Sequence, residues 1–94
     1  MENAGYTIIA NEIFKADEGL GIALGSRESK YSPEGTQYVT WQYRQTSENG
    51  KVTIEYYWGH YFLKRANAYT DYHSRLLAEY ERQQTADDVI TLKI

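Results

Sequence analysis

Hydrophobic and polar positions alternate along two stretches in the middle of the chain, Tyr38–Gln45 and Val52–His60. A period of two is typical of β-strands that bury one face. Between these stretches lies Asn49-Gly50, the pair preferred in two-residue type I′ turns because both central residues need positive φ. The sequence therefore predicts a β-hairpin in which Glu48 lies opposite Lys51, and the other pairs follow by counting back from the turn.

The register counted back from this turn separates the side chains of the hairpin into two faces. It pairs Arg44 with Glu55 and Trp41 with Trp58. One predicted face is aromatic and aliphatic, and its members are Val39, Trp41, Tyr43, Ile54, Tyr56 and Trp58. The other is polar apart from one tyrosine, and its members are Thr40, Gln42, Arg44, Thr46, Thr53, Glu55 and Tyr57. We expect a helix to cover the aromatic face, so that the polar face becomes the outer surface of the sheet.

Two further strands are predicted before the hairpin. Tyr6–Lys15 is rich in β-branched and aromatic residues, and a break in its alternation near Asn11 indicates a bulge or a strand end. After a turn at Asp17-Glu18-Gly19, the segment Leu20–Gly25 alternates large aliphatic residues with glycine and alanine. The small residues on one face of this strand allow another backbone or side chain to approach closely.

From about Leu63 to Gln84 the pattern changes to that of a helix with one apolar stripe, because large residues recur at steps of three and four. Asp71 and Arg75, four residues apart, add an oppositely charged pair. The tail, 88–94, is rich in β-formers and is able to add an edge strand. The sequence thus predicts a single α+β domain over residues 1–94. It consists of an antiparallel sheet of two hairpins, about four strands with a fifth from the tail, and one long helix packed on one face.

Composition narrows the classes of function. The chain has no cysteine, which excludes a disulfide framework and thiolate metal sites and fits a reducing compartment. Its 13 acidic and 10 basic residues give a net charge of −3, whereas a general nucleic-acid binder normally has a basic excess. Neither a bilayer-spanning apolar run nor a signal peptide is recognisable. We therefore expect a cytoplasmic protein that does not enter membranes.

Residues able to support catalysis are scattered along the chain. His60 ends a predicted strand and His73 lies in the middle of the predicted helix, so they do not have the spacing of a metal-binding pair. The acidic pairs Asp17-Glu18 and Asp87-Asp88 fall in predicted turns, where such residues are usually solvated or cap backbone groups. We predict that the protein is not an enzyme and has no catalytic, cofactor-binding or metal-binding residues.

Ten tyrosines against two phenylalanines suit contact with another protein, because tyrosine combines a large apolar surface with a polar tip, and for any single tyrosine they suit a place in the core or the sheet even better. We predict a contact surface on the outer face of the hairpin and in the polar loop 25–35. The residues chosen are Arg44, Tyr57, Arg27, Lys30 and Tyr31. Aromatic and cationic groups on one sheet face also leave binding of single-stranded RNA as the alternative function. An exposed edge strand beside many tyrosines further allows a symmetric homodimer by strand addition.

The segments Tyr38–Gln42 (Tyr-Val-Thr-Trp-Gln) and Tyr57–Phe62 (Tyr-Trp-Gly-His-Tyr-Phe), with a helix after them, resemble small accessory proteins of conjugative elements and phages of gut Firmicutes. The resemblance covers the middle and the C-terminal half of the chain. It lies in structural residues, so it implies ancestry and fold and transfers no site. Genes of that kind often lie among anti-defence genes, including anti-CRISPR genes. The resemblance therefore implies a mobile-element or phage protein that blocks a host defence protein by surface contact.

Overall fold

The computed structural model describes residues 1–83, which form a five-stranded antiparallel sheet with one long helix packed on it. The strands are β1 (Glu2–Asn3), β2 (Tyr6–Lys15), β3 (Leu20–Glu28), β4 (Thr36–Glu48) and β5 (Lys51–Phe62), and the helix is α1 (Arg65–Gln83). The strands lie side by side in chain order. The α+β class is confirmed, but the predicted sheet of two hairpins is instead one continuous five-stranded sheet in which β1 is the fifth strand. The strand predicted in the tail, 88–94, lies outside the described residues.

β4 and β5 form the predicted hairpin around Asn49-Gly50, whose φ angles are 53° and 77°. Arg44 lies opposite Glu55, which confirms the predicted register in this part of the hairpin. The pairing of β3 with β4 ends at Arg44. The segment Thr46–Thr53 therefore extends past the neighbouring strand as a two-stranded arm.

Near the middle of the hairpin the register shifts by one residue, because Thr40 lies opposite His60. One residue of β4, Trp41, therefore faces two residues of β5, Trp58 and Gly59, which is a β-bulge. The predicted one-to-one pairing of Trp41 with Trp58 in a regular ladder is wrong, because Gly59 shares the position opposite Trp41. A Cβ atom at Gly59 would lie 3.0 Å from Nε1 of Trp41, so this glycine makes room for the indole ring.

The alternation of large and small residues in β3 decides which face of the sheet carries the helix. Its large side chains point toward α1, and Ile22 and Leu24 are 1% and 0% exposed. They form the main core, whose buried members are Phe14, Ile22, Leu24, Tyr38, Ala68, Tyr72 and Leu76. We call this side, which also contains Thr40, the helix face. The prediction that α1 covers the face of Trp41 is wrong, because β3 offers large apolar side chains on the other face.

The opposite side, the open face, carries a row of aromatic rings packed against the small residues of β3. Neighbouring rings have centroids 5.3 to 6.4 Å apart, in the order Tyr61, Tyr6, Trp41, Tyr56 and Tyr43. The sheet curls around this row, since Tyr6 of β2 reaches Tyr61 of β5. The Tyr56 hydroxyl also lies 3.6 Å from Sδ of Met1. Trp41 is consequently 4% exposed although α1 packs on the other face.

β2 has the predicted bounds, and its irregularities flank the predicted position at Asn11. Its register with β3 shifts between Ile8 and Ala10 and again between Ile13 and Lys15. Both shifts change which side chains face α1, in the way expected of bulges. The predicted turn that follows ends at Gly19, whose φ is 66°.

The loop 29–35 fixes the beginning of α1. The Ser32 hydroxyl donates to the carbonyl oxygen of Leu63 at 2.8 Å and accepts from the backbone N–H of Glu34 at 3.2 Å. The Glu34 carboxylate accepts from the backbone N–H of Arg65 at 3.0 Å. A carboxylate is favourable here because the first N–H groups of a helix have no partner within it.

The close packing on the open face predicts that Gly21→Ala destabilises the protein. A methyl group at this position would overlap the ring of Tyr43, and overpacking of this kind costs about 1–3 kcal/mol. The free energy of unfolding in urea measures the cost. In a Tyr43→Leu background the ring is absent and the cost should shrink. An equal cost in both backgrounds would contradict this account of the packing.

The position of Tyr72 predicts a specific loss of stability at high pH. Burial, helped by the nearby Glu12 carboxylate, raises the pKa of the Tyr72 hydroxyl from 10.0 to about 12. Because the folded state keeps this proton longer than the unfolded chain, stability is unaffected below pH 10 and falls toward pH 12, by up to about 3 kcal/mol. Tyr72→Phe cannot ionise, so its unfolding free energy should fall less over this interval. Parallel slopes for variant and wild type would refute the prediction.

Candidate functional site

The predicted contact residues lie in separate places. Arg44 and Tyr57 are diagonal neighbours on the helix face of the hairpin, with Arg44 exposed and Tyr57 half-buried. Lys30 and Tyr31 lie in the loop at the other end of β4. Eight residues of extended strand separate the two places, a distance of roughly 26 Å at about 3.3 Å per residue. These residues do not form one continuous site.

Arg27 lies on the open face and is engaged within the fold. Its guanidinium carbon is 4.5 Å from the centroid of the Tyr6 ring, and two of its nitrogens donate to Oε1 of Gln37 at 3.1 and 3.3 Å. A cation held over a ring in this way stabilises the aromatic row at Tyr6. Lys30 makes a looser contact of this type with Tyr31, whose side chain is 81% exposed.

A polar network joins α1 to the centre of the helix face. The Thr40 hydroxyl, which is fully buried, donates to Oδ2 of Asp71 at 2.6 Å and accepts from Nη1 of Arg75 at 3.0 Å. Arg75 also donates to the carbonyl oxygen of Thr40 at 3.1 Å. Burial lowers the pKa of the Arg75 guanidinium, and the Asp71 carboxylate opposes that shift. Thr40 thus connects the acid and the base that the sequence predicted as a pair.

His60 completes this network, since its Nδ1 lies 2.9 Å from Oδ2 of Asp71. A carboxylate on one ring nitrogen is also the arrangement that orients a general base. A pocket of about 230 Å³, including its open mouth, lies on the other side of the sheet, between Ala23, Tyr43 and Tyr56. Because the imidazole and this pocket are on opposite faces, we interpret the network as a fastening of α1. Within residues 1–83, no group of three or more ligating side chains is placed to hold a metal ion.

Trp58 is the residue that sequence reasoning missed. It was expected under the helix, yet its side chain is 67% exposed and its φ is 56°. For a residue with a bulky side chain, this left-handed conformation costs about 1–2 kcal/mol. Glycine usually takes the left-handed position of a bulge, but here the glycine stands one residue later, against Trp41. An isolated glycine within a strand pattern was the available signal for this bulge.

Two aromatic residues at the bulge form what we call the β5 aromatic site: Tyr57 and Trp58. The Trp58 ring meets the Tyr57 ring edge-to-face, with centroids 4.9 Å apart. Tyr61, 60% exposed at the end of the aromatic row, lies on the open face and so on the other side of the sheet from Tyr57. β5 is the last strand in the sheet order, so this site lies on an edge of the sheet formed by residues 1–83.

Comparison with known proteins leaves this site to be interpreted from its own geometry. The chain matches no protein-family model, no curated protein and no solved structure. In the part of the chain that the structure describes, no helix combines the length and the apolar character needed to cross a membrane.

The network around Thr40 predicts a clear difference between two substitutions. Thr40→Val keeps the shape but removes one of the donors to Asp71 and one of the acceptors for Arg75, and a hydrogen bond to a charged group contributes about 1.5–3 kcal/mol. Thr40→Ser keeps the hydroxyl and serves as the matched control. Thermal and urea unfolding should show a substantial loss for the valine variant and a small one for serine. Wild-type stability of Thr40→Val would exclude the fastening role.

Proposed function

We propose that this protein is a small non-enzymatic module that binds another protein through the β5 aromatic site, with Trp58 as the principal contact residue. The observation that carries the proposal is the exposure of Trp58 at positive φ. Backbone strain tends to persist at functional positions, because selection for stability alone would remove it. A glycine or asparagine would take this conformation at lower cost, and neither would present an indole ring to solvent.

The chemistry of the site suits recognition of a protein surface. Tryptophan and tyrosine are over-represented among the residues that contribute most to binding energy, because each buries a large area with few rotatable bonds. The edge-to-face contact with Tyr57 restricts the indole of Trp58 before binding, which lowers the entropy lost in the complex. Arg44, diagonal to Tyr57, adds a cation at the margin of the same surface.

The proposed role extends the resemblance to accessory proteins of mobile elements. Tyr57–Phe62, one of the two segments that carry the resemblance, contains the whole β5 aromatic site. In this role the protein acts in the host cytoplasm as a phage or mobile-element product. It blocks a defence protein by covering its surface, as an anti-CRISPR protein does, and needs no catalytic group.

Trp58→Gly tests the proposal, because it removes the indole and relieves the backbone strain together. Wild-type and variant proteins serve as bait in host lysate, captured proteins are identified by mass spectrometry, and affinity is then measured with the purified partner. We expect the affinity to fall at least about thirtyfold, the effect of losing a residue worth about 2 kcal/mol. The melting temperature should stay at or above that of the wild type.

The matched control is Leu77→Ala, which removes another large exposed side chain (59% exposed) on the outer side of α1. It should bind like the wild type, while Tyr57→Ala and Arg44→Ala should weaken binding. Unchanged affinity of Trp58→Gly would overturn the proposal. Gel shifts with single-stranded RNA at two salt concentrations cover the alternative function, since phosphate contacts weaken as salt rises.

A further inference from the structure

Within residues 1–83, the outer edge of the hairpin arm has a defined set of outward backbone groups. In a two-residue hairpin the pair next to the turn exchanges hydrogen bonds, and the pairs alternate from there. Since Glu48 lies opposite Lys51, the N–H and C=O groups of Lys51, Thr53 and Glu55 point toward β4. Those of Val52 and Ile54 point to the opposite side, where β5 has no neighbouring strand among residues 1–83.

The side chains along this edge alternate between apolar residues on one face and polar residues on the other, as in a strand that pairs with a neighbouring strand. Val52 is 55% exposed and Ile54 is half-buried, and both lie on the open face. Lys51, Thr53 and Glu55 lie on the helix face, beyond the reach of α1, and all three are exposed. Exposed apolar residues on a free strand edge favour pairing with a further strand.

We propose that two copies of this chain associate through antiparallel pairing of the segment 51–55, with the two Thr53 residues opposite each other on the two-fold axis. In this register Lys51 of each copy lies opposite Glu55 of the other. Val52 likewise lies opposite Ile54, and their outward backbone groups hydrogen-bond to each other. The charged pair Lys51–Glu55 and the apolar pair Val52–Ile54 therefore each occur twice, as a two-fold interface requires.

The charges on the helix face extend this complementarity across four strands. Within each copy, Glu48 lies opposite Lys51 and Arg44 opposite Glu55. Dimerisation joins these pairs into a row that reads Glu48, Lys51, then Glu55 and Arg44 of the second copy, so that negative and positive charges alternate throughout. Two-fold symmetry produces the row twice.

Registers with the two-fold axis at another residue of the segment do not pair Lys51 with Glu55. A two-fold axis through Lys51 or Glu55 places each of these residues opposite its own copy, and like charges in direct opposition are destabilising. An axis through Val52 or Ile54 leaves Lys51 without an opposing carboxylate. The bulge at Trp58 and Gly59 ends regular pairing beyond the chosen segment. The inference rests on the edge of residues 51–55 and is independent of the proposal for the β5 aromatic site.

Sedimentation equilibrium of the purified full chain at low salt, over a wide range of concentrations, tests the pairing. The wild type should show a monomer–dimer equilibrium. Lys51→Glu replaces two attractive contacts by two repulsive ones and should weaken association about tenfold or more. Lys64→Glu makes the same charge change at an exposed position outside the segment and should leave association unchanged.

Two further variants distinguish the effect of this register from an effect of the overall charge of the protein. Lys51→Glu combined with Glu55→Lys restores the opposite charges across the two-fold axis and should associate more tightly than either single variant. Ile54→Pro removes an outward N–H group without breaking the β4–β5 ladder and should abolish association, with circular dichroism confirming the fold. A monomeric wild type at every concentration, or a dimer insensitive to both Lys51→Glu and Ile54→Pro, would overturn the inference.

Discussion

The alternation of large and small side chains along β3 is the constraint on which the rest of this structure depends. β3 is the middle strand, and both of its faces are buried. Its leucine and isoleucine side chains need a cover, which α1 provides. Its glycine and alanine positions leave room for the rings of the neighbouring strands. Because aromatic side chains fill that room, the sheet curls around them and forms a second core on the face without the helix.

The bulge in β5 links this packing to two other features of the hairpin, which are the attachment of α1 and the β5 aromatic site. By adding one residue opposite Trp41, it reverses the facing of the following part of β5. His60 thereby reaches the helix face, where it meets Asp71, and Tyr61 reaches the open face, where it ends the aromatic row. The same added residue leaves Trp58 exposed. The attachment of α1 and the β5 aromatic site are thus consequences of a single local irregularity.

Much of the fold followed from local signals in the sequence. Asn49-Gly50 predicted the turn and the register as far as Gln42, because turn geometry is fixed by a few adjacent residues. Alternation and β-propensity gave β2 its observed bounds, and helical periodicity located α1 to within two residues of its observed ends. The face chosen by α1 was predicted wrongly, because it depends on how β3 pairs with β4, and that pairing is not local. The small residues in β3 predicted that another group packs closely against this strand. Spacing alone did not predict that this group is a row of aromatic rings.

The candidate site was less predictable than the fold for a related reason. Tyr57 was chosen as a contact residue and does lie in the β5 aromatic site, whereas Trp58 was assigned to the core by extending a regular register through an irregular point. Arg27 was predicted to be a contact residue in the polar loop 25–35. Because β3 continues through Glu28, however, this arginine lies in a strand beside Tyr6 and Gln37. Both errors arose where the strand geometry departed from a uniform pattern.

The order of the strands has a consequence for how the chain folds. Each strand pairing in residues 1–83 joins neighbours along the chain, so each closes a short loop and loses little chain entropy. The contacts of α1 are different, since Thr40 and Asp71 are 31 residues apart. We therefore expect the hairpin and its neighbours to form early from local pairings, with docking of α1 as a late step. The half-buried carboxylate of Asp71 finds its partners when that step is complete.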